Sequence, residues 1–555
     1  MDVSIGKVSL SYFGKVKLND VLVKDHHDST LLKINEFRTS ILGVSNLISN
    51  NPNLGSSTAE GFTLKMKRYK GEESDNLSIL LDKLKTEPTG EPKQFKLSVR
   101  DIFISEGYYS YIDENLTNPK IVVLDKLELQ AEYLKVIDQN FKININSLQA
   151  EEGRGLDIRN LRTDFSYSPT NMSLNSLFLT TPYSNVEGSI EMNYTLDDFS
   201  DFLNKVNWKI KLVDSNISTN DLVNFYAPFG SNQNLLISTT LDGTLNDFTL
   251  KDLELRGMDR SKIDGMLSVK GAFSEEMEAF KLIGNFNELA TNYYDLINLL
   301  PGILKPKLPL TLREFGNLRL TGNTVVTKNS LDADVFINTQ LGSVKADIIM
   351  NNITNSTAVS YKGNLVFNQF NIGRLLDNKE LGKTSLNLNI NGNGFTAASL
   401  NTQVRGKISR LNFKNYTYSD ITILGTVRNS VFNGNFISND PNFKLEFNGL
   451  VDISQNVNVY DFQASVAYAD LHTLNFISRD STAILKGDIL INMKGDNLDN
   501  LAGKVLLLNT SYQNENDLYY FDDLEVNSTF DSTGVRTIAV NSPDVINGKV
   551  TGKFK

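Results

Sequence analysis

The sequence predicts an all-β protein with a few short helices, in which amphipathic strands form one elongated antiparallel sheet with an apolar face. Three observations support this prediction. Apolar and polar residues alternate along most of the chain, glycines close many of the alternating segments, and helical periodicity is confined to a few short stretches.

Alternation with period two is the strongest signal, because successive side chains of a strand point to opposite faces of the sheet. Each alternating segment therefore has one apolar and one polar face. Glycines such as Gly406 and Gly449 supply the positive φ angles that tight hairpins and bulges require. The clearest segments are residues 95–99, 141–146, 333–338, 385–391, 443–448 and 489–494.

Helical signals are few. The best is residues 75–84, where leucines recur at i, i+3, i+4 and i+7 before Pro88 ends the run. Shorter helices are predicted at residues 197–203, 219–226 and 291–300, and weaker ones at residues 371–376 and 470–476.

From about residue 214 onward, the helical turns introduce similar blocks of glycine-punctuated strands. We therefore divide the chain into an N-terminal β segment (1–213) and two stretches of groove repeats (214–369 and 370–555). Stacked repeats bury a face that none can bury alone, which favours one continuous sheet. Residues 550–555 still alternate like a strand, so we expect a fragment of a longer protein.

Composition excludes several classes of function. The chain contains no cysteine, so it has no disulfide, thiolate metal site or cysteine nucleophile. A net charge of −10, with basic and acidic residues interspersed, argues against nucleic acid as a partner. The sequence contains no stretch approaching roughly 18 consecutive apolar residues, the length that would predict a membrane-spanning helix.

A sheet with one apolar face must cover that face with a second sheet, with helices or with something other than protein. The predicted helices are too few to do so. Two arrangements remain open from the residues alone: a sheet that folds over and fills its own interior, or a trough partly occupied by an apolar ligand.

Several segments resemble a known family. The stretch VKLNDVLVKD at residues 16–25 resembles the start of AsmA-like domains. The segments FNIGRLL (370–376), LGKTSLNLNINGNG (381–394) and DPNFKLEFNG (440–449), in that order, resemble the TamB branch of the same family.

The resemblance implies an elongated β-taco or groove with a hydrophobic lumen. Such proteins span the periplasm of Gram-negative cells between the inner and outer membranes, and they are implicated in phospholipid transfer and outer-membrane protein assembly. Family members usually begin with an inner-membrane helix and end with a domain that meets an outer-membrane barrel protein. Both parts are expected to lie outside this fragment.

The sequence contains no complete catalytic or cofactor-binding motif, and we expect no enzyme activity, cofactor or metal. Residues 392–397 match a loose dinucleotide-binding pattern, and residues 382–385 match the end of a P-loop, but strands rather than helices should follow both. His26 and His27 lie in a polar turn, and the sequence offers no third ligand at a metal-binding spacing.

The leading hypothesis is a lipid conduit in which inward residues line a trough for phospholipid acyl chains. Two alternatives remain: a scaffold that receives client strands of outer-membrane proteins by β-augmentation, and a surface adhesin or stalk of closed β-sandwiches. The candidate lining residues are Leu386, Leu388, Ile390, Phe443, Leu445, Phe447, Ile489, Ile491 and Met493.

Overall fold

A computed structural model describes residues 2–11, 14–42, 51–85, 94–116, 119–224, 232–257, 260–273, 279–299, 310–396, 398–453, 457–497, 499–543 and 546–553. The all-β prediction is confirmed, since strands account for 69% of the residues and helices for 7%. The chain forms two compact units. Unit 1 comprises Met1–Phe280 and Tyr294–Pro306, and unit 2 comprises Lys281–Tyr293 and Lys307–Lys555. The division into repeat stretches at residues 213 and 369 stays a prediction.

Unit 1 is a curled sheet whose strands mostly pair antiparallel with their neighbours in sequence. Its strands are β1 (Val3–Leu10), β2 (Lys15–Lys24), β3 (Thr30–Ile41), β4 (Asn53–Glu60), β5 (Thr63–Arg68), β6 (Lys96–Asp113), β7 (Lys120–Ile137), β8 (Asn140–Glu152), β9 (Asp157–Ser168), β10 (Asn171–Thr180), β11 (Asn185–Asn193), β12 (Asn207–Ser218), β13 (Asn234–Gly243), β14 (Phe248–Gly257) and β15 (Ser261–Lys270).

Unit 2 is a second run of antiparallel pairs between consecutive strands. Its strands are β16 (Lys281–Asn292), β17 (Asn317–Thr327), β18 (Ser330–Thr339), β19 (Gly342–Asn351), β20 (Ser360–Asn371), β21 (Leu381–Asn393), β22 (Asn401–Phe413), β23 (Tyr416–Arg428), β24 (Val431–Asp440), β25 (Phe443–Asp452), β26 (Val459–Asp470), β27 (Ile484–Lys494), β28 (Ala502–Gln513), β29 (Leu518–Phe530), β30 (Arg536–Ser542) and β31 (Ile546–Gly552).

Two strands depart from the antiparallel prediction. β4 and β5 both pair antiparallel with β3 and parallel with β6. Together they form one interrupted strand, broken at Gly61, whose φ is +64°. A parallel partner needs a long crossover, and the segment between β5 and β6, which contains a helix, provides it.

The helices are short, as predicted. The predicted helix at residues 75–84 is found at Asn76–Lys85. The helix predicted at residues 470–476 is not formed, since residue 470 ends β26 and residues 471–476 form turns and a bend. The ends of the predicted helices at 219–226 and 291–300 lie outside the described residues, as does Pro88. The described helices are α1 (Asn76–Lys85), α2 (Phe202–Lys205), α3 (Thr219–Leu222), α4 (Tyr293–Leu299) and α5 (Ile372–Leu375), with 3-10 turns at Leu196–Asp201 and Leu310–Phe315.

None of these helices has the length and apolar character needed to cross a membrane. The two glycine motifs also lack helices. Residues 382–385 lie within β21, and the described residues between β21 and β22 contain turns but no helix.

Buried residues form small clusters rather than one large core. Each cluster draws its members from consecutive strands of one sheet, together with a covering segment in some cases. In unit 1, for example, Phe199 and Phe202 of the helical segment pack with Trp208 and Tyr194. The apolar face is therefore covered locally by short segments of the chain.

Candidate functional site: an apolar face along the sheet

The nine candidate lining residues all lie on one face of unit 2. In an antiparallel pair, residues directly opposite one another point to the same side of the sheet. Leu388 on β21 is connected through such pairs to Phe447 on β25 and then to Ile489 on β27. The other six candidates lie two or four positions from these three on the same strands, so their side chains point to the same face.

One line of directly paired residues runs across the whole of this face, and we call it the central apolar track. It contains one residue from each strand from β18 to β29, and none of them carries a polar side chain. Its members are Val335, Ala346, Leu365, Leu388, Gly406, Ile423, Phe436, Phe447, Ala464, Ile489, Leu507 and Leu524.

Most of this face is only half-buried. Val335, Ala346 and Ala464 are buried, but the rest of the central apolar track and all nine candidate residues keep part of their surface exposed. A filled protein core excludes water from such side chains almost completely. The face is therefore apolar and partly open at the same time.

Polar groups of this face lie toward its margins. Tyr361 donates a hydrogen bond to the main-chain oxygen of Gly394, 3.2 Å away, and is also hydrogen bonded to Thr402. Burial raises the pKa of Tyr418 to about 12, so its hydroxyl stays neutral at physiological pH. Between these margins, the central apolar track carries no charged side chain.

Part of the face is covered by protein. Leu474, in the turns after β26, is completely buried with Tyr418, Ile421, Val466 and Ala469. Among the candidates, Phe443, Leu445 and Ile489 pack against this cluster, whereas Leu386, Leu388 and Ile390 do not belong to it. Phe447, Ile491 and Met493 are likewise outside this cluster.

Unit 1 has an equivalent line of paired apolar residues. It takes one residue from each strand from β8 to β15. Its members are Ile143, Phe165, Leu174, Ile190, Ile210, Leu241, Leu250 and Leu267. The candidate list from the sequence was confined to unit 2, although the same alternation could have identified this second line.

The opposite face of unit 2 is mainly polar. A cavity of about 830 Å³ on this face is lined by side chains that include Asp347, Lys362, Asn389, Asn391 and Arg405. Apolar side chains, among them Ile349 and Leu424, also line this cavity, so its wall combines charged and apolar groups. The separation of the faces is incomplete, however, since Phe336, Ile349, Leu424 and Ile437 are exposed on the polar side.

A second group of side chains was not anticipated. The sequence offered no third ligand for His26 and His27, but the structure places Glu72 beside both rings. Hydrogen bonding to His27 holds the pKa of the Glu72 carboxyl below its ordinary value. The partner lies far away in sequence, so spacing alone could not reveal it.

No family model matches the chain, and no curated protein or solved structure shows significant similarity to it.

Proposed function

We propose that the chain is a lipid-transfer groove of the Gram-negative periplasm, in which the apolar face guides phospholipid between the inner and outer membranes and so supports outer-membrane biogenesis. The observation that carries this proposal is the central apolar track, which continues from Val335 to Leu524 without a polar side chain and stays partly exposed. The resemblance of several segments to AsmA-like proteins is a second support.

The chemistry of the face suits an acyl chain. Burying each methylene is worth about 0.8 kcal/mol, so several methylenes against Leu388, Phe436 and Phe447 hold a chain firmly. Aliphatic and aromatic contacts are not directional, and a face without polar anchors has no fixed binding position. A lipid tail can therefore slide from one strand to the next while its head group remains in water.

The groove itself is passive in this proposal. It lowers the free-energy cost of moving a lipid tail through water. The energy that drives net lipid transport in one direction must come from another source. We further propose attachment to the inner membrane and docking to an outer-membrane barrel protein through regions outside this chain. No catalytic step is required.

The test compares two adjacent positions on β21 that face opposite sides. Leu388→Asp places a carboxylate on the apolar face, and Asn389→Asp places the same charge on the polar face. Each protein is purified from a Gram-negative host, and bound lipid is measured by native mass spectrometry and by extraction. We expect phospholipid on the wild type and on Asn389→Asp, and at least about fivefold less on Leu388→Asp, because a charge must be dehydrated beside an acyl chain.

The proposal fails if the wild-type protein carries no phospholipid, or if the two variants carry equal amounts. A photoreactive residue at position 388 provides a second readout. Crosslinks to lipid support transfer, whereas crosslinks to polypeptide favour the scaffold for outer-membrane proteins.

A further inference from the structure

His26, His27 and Glu72 lie close together beside the turn between β2 and β3 of unit 1, and all three are residue types that can ligate a metal ion. The Nε2 atom of His26 lies 2.9 Å from Glu72 Oε2, and the Nε2 atom of His27 lies 2.7 Å from Glu72 Oε1. The three ligand atoms lie within 4.8 Å of one another. All three side chains keep some exposure, between 21% and 46%, so the group is accessible from solvent.

The histidines are held by the turn between β2 and β3. The carboxylate of Asp25 accepts hydrogen bonds from the main-chain N–H groups of His27 and Ser29, both at 2.9 Å. Asp28 adopts a left-handed conformation, with φ of +63°, which completes the turn. The ring of His27 also stacks on Tyr69, with 3.9 Å between ring centroids. The turn and the His27 imidazole are thereby held in place before any ligand arrives.

Glu72 is placed by a second turn, which follows β5. The N–H of Glu72 donates to the main-chain oxygen of Tyr69, and Gly71 between them has a φ of +83°, as a type II turn requires. The side chain of Asn115 accepts from Gly71 N and donates to the main-chain oxygens of Tyr69 and Glu72. This turn is therefore fixed from outside as well as from within.

The two turns are joined through one buried carboxylate. Asp25 Oδ2 accepts hydrogen bonds from the Tyr69 hydroxyl at 2.7 Å and from Asn76 Nδ2 at 2.9 Å. Asp25 is 1% exposed, and Asn76 is also 1% exposed. The supporting residues thus set the distance between the histidine turn and the glutamate turn, which is the kind of outer support that metal sites use.

We propose that His26, His27 and Glu72 form a binding site for a zinc ion, with the fourth coordination position open to solvent. Two imidazoles and one carboxylate are an established ligand set for zinc, which binds nitrogen and oxygen ligands at about 2.0 to 2.2 Å. Tetrahedral ligands at that distance lie roughly 3.3 Å apart, within the range that the present separations span. Magnesium and calcium prefer sites made of oxygen ligands.

Zinc at this site crosslinks the β2–β3 turn to the segment between β5 and α1. That segment follows β5, the second half of the interrupted strand of unit 1, so the ion ties this strand to the β2–β3 turn. The site is independent of the proposed lipid groove, because none of its residues belongs to the central apolar track or to the equivalent line in unit 1.

The experiment uses the whole chain without an affinity tag, freed of metal by chelation. Zinc chloride is titrated in competition with a chromophoric chelator, and magnesium chloride and calcium chloride are titrated in parallel. We expect one zinc ion per chain, a melting temperature that rises with zinc concentration, and no competition from magnesium or calcium at equal concentrations.

The matched variants are Glu72→Gln and Glu73→Gln, which remove the same charge from adjacent residues, the second of them exposed. Glu72→Gln should weaken zinc binding at least about tenfold, and Glu73→Gln should leave it unchanged. His27→Gln provides a second test should Glu72→Gln fold poorly. Absence of stoichiometric zinc in the wild type, or equal affinity in Glu72→Gln and Glu73→Gln, overturns the proposal.

Discussion

Gly434 on β24 lies directly opposite Gly425 on β23, and the two main chains approach so closely there that a Cβ atom on Gly434 would collide with Gly425 Cα. Gly449 on β25 lies opposite Gly434 on the other side. Aromatic rings cover these bare positions, since a Cβ on Gly425 would lie 2.8 Å from Phe432 Cε2. Gly425 thus leaves room for the Phe432 ring over the main chain.

Gly434→Ala is therefore expected to destabilise unit 2 by about 1 to 3 kcal/mol, because the added methyl group must displace the β23 main chain. Chemical denaturation measures the change in free energy of unfolding. Gly548→Ala on β31 is the control, since a Cβ there meets nothing within 4 Å. Equal stability of the two variants would contradict the close approach of β23 and β24.

Variants of Phe370 and Phe447 distinguish a side chain that packs inside the protein from one that is proposed to contact lipid. Phe370 is 1% exposed and packs on Phe367, with 4.8 Å between ring centroids, whereas Phe447 is half-buried on the central apolar track. Phe370→Ala should cost about 3 to 5 kcal/mol of unfolding free energy. Phe447→Ala should cost about 1 to 2 kcal/mol, because its ring is only partly removed from water.

The loss of bound phospholipid should be larger for Phe447→Ala than for Phe370→Ala, the reverse of the losses in unfolding free energy. Per folded molecule, Phe447→Ala is expected to carry less phospholipid than the wild type, and Phe370→Ala the same amount, since Phe370 offers no surface to a ligand. Denaturation curves and lipid extraction on the same preparations check both halves. A fall in lipid content with Phe370→Ala alone would contradict the assignment of the accessible face.

Asp480 makes the stability of unit 2 depend on pH. Arg479 donates two hydrogen bonds to its carboxylate, at 2.9 and 3.2 Å, and the Tyr512 hydroxyl donates a third at 2.9 Å. The hydrogen bonds from Arg479 and then Tyr512 hold the pKa of Asp480 below its ordinary value.

A carboxyl whose pKa is lowered by folding contributes stability above its unfolded pKa of about 3.9, and that contribution is lost as pH falls through the folded pKa. The melting temperature of the wild type should therefore drop more steeply below about pH 4 than that of Asp480→Asn. Thermal melts from pH 6 to pH 2 measure both slopes. Parallel curves would show that Asp480 is not held in its charged form by folding.

The period-two alternation predicted which side chains share a face. The nine candidates were chosen from separate segments, yet the pairing from Leu388 to Ile489 is continuous because each hairpin preserves the register of the apolar residues. The parallel pairing of β4 and β5 with β6 was not predictable in this way. Alternation predicts which face of the sheet a side chain lies on, but it does not predict which strands pair with one another.

The site at Glu72 shows a second limit. Glu72, 46 positions from His26, comes beside it because β5 pairs antiparallel with β3 and so ends near the β2–β3 turn, where the turn at Gly71 places the glutamate. Similarly, residues 470–476 have a helix-like apolar spacing, but residues 471–476 form turns and a bend, and the spacing reflects burial of Leu471 and Leu474 against strands. In both places tertiary packing decides what local sequence leaves open.

Leu474 tests whether this turn segment covers part of the apolar face. Its side chain is fully buried among residues of β23 and β26, while Phe476, two positions later, is 51% exposed. Leu474→Ala leaves a cavity beneath the segment and is expected to cost about 2 to 5 kcal/mol of unfolding free energy. Phe476→Ala removes a larger side chain from the surface and should cost less than about 1 kcal/mol. Chemical denaturation of the two variants decides the point, because equal losses would mean that the segment does not cover the strands through Leu474.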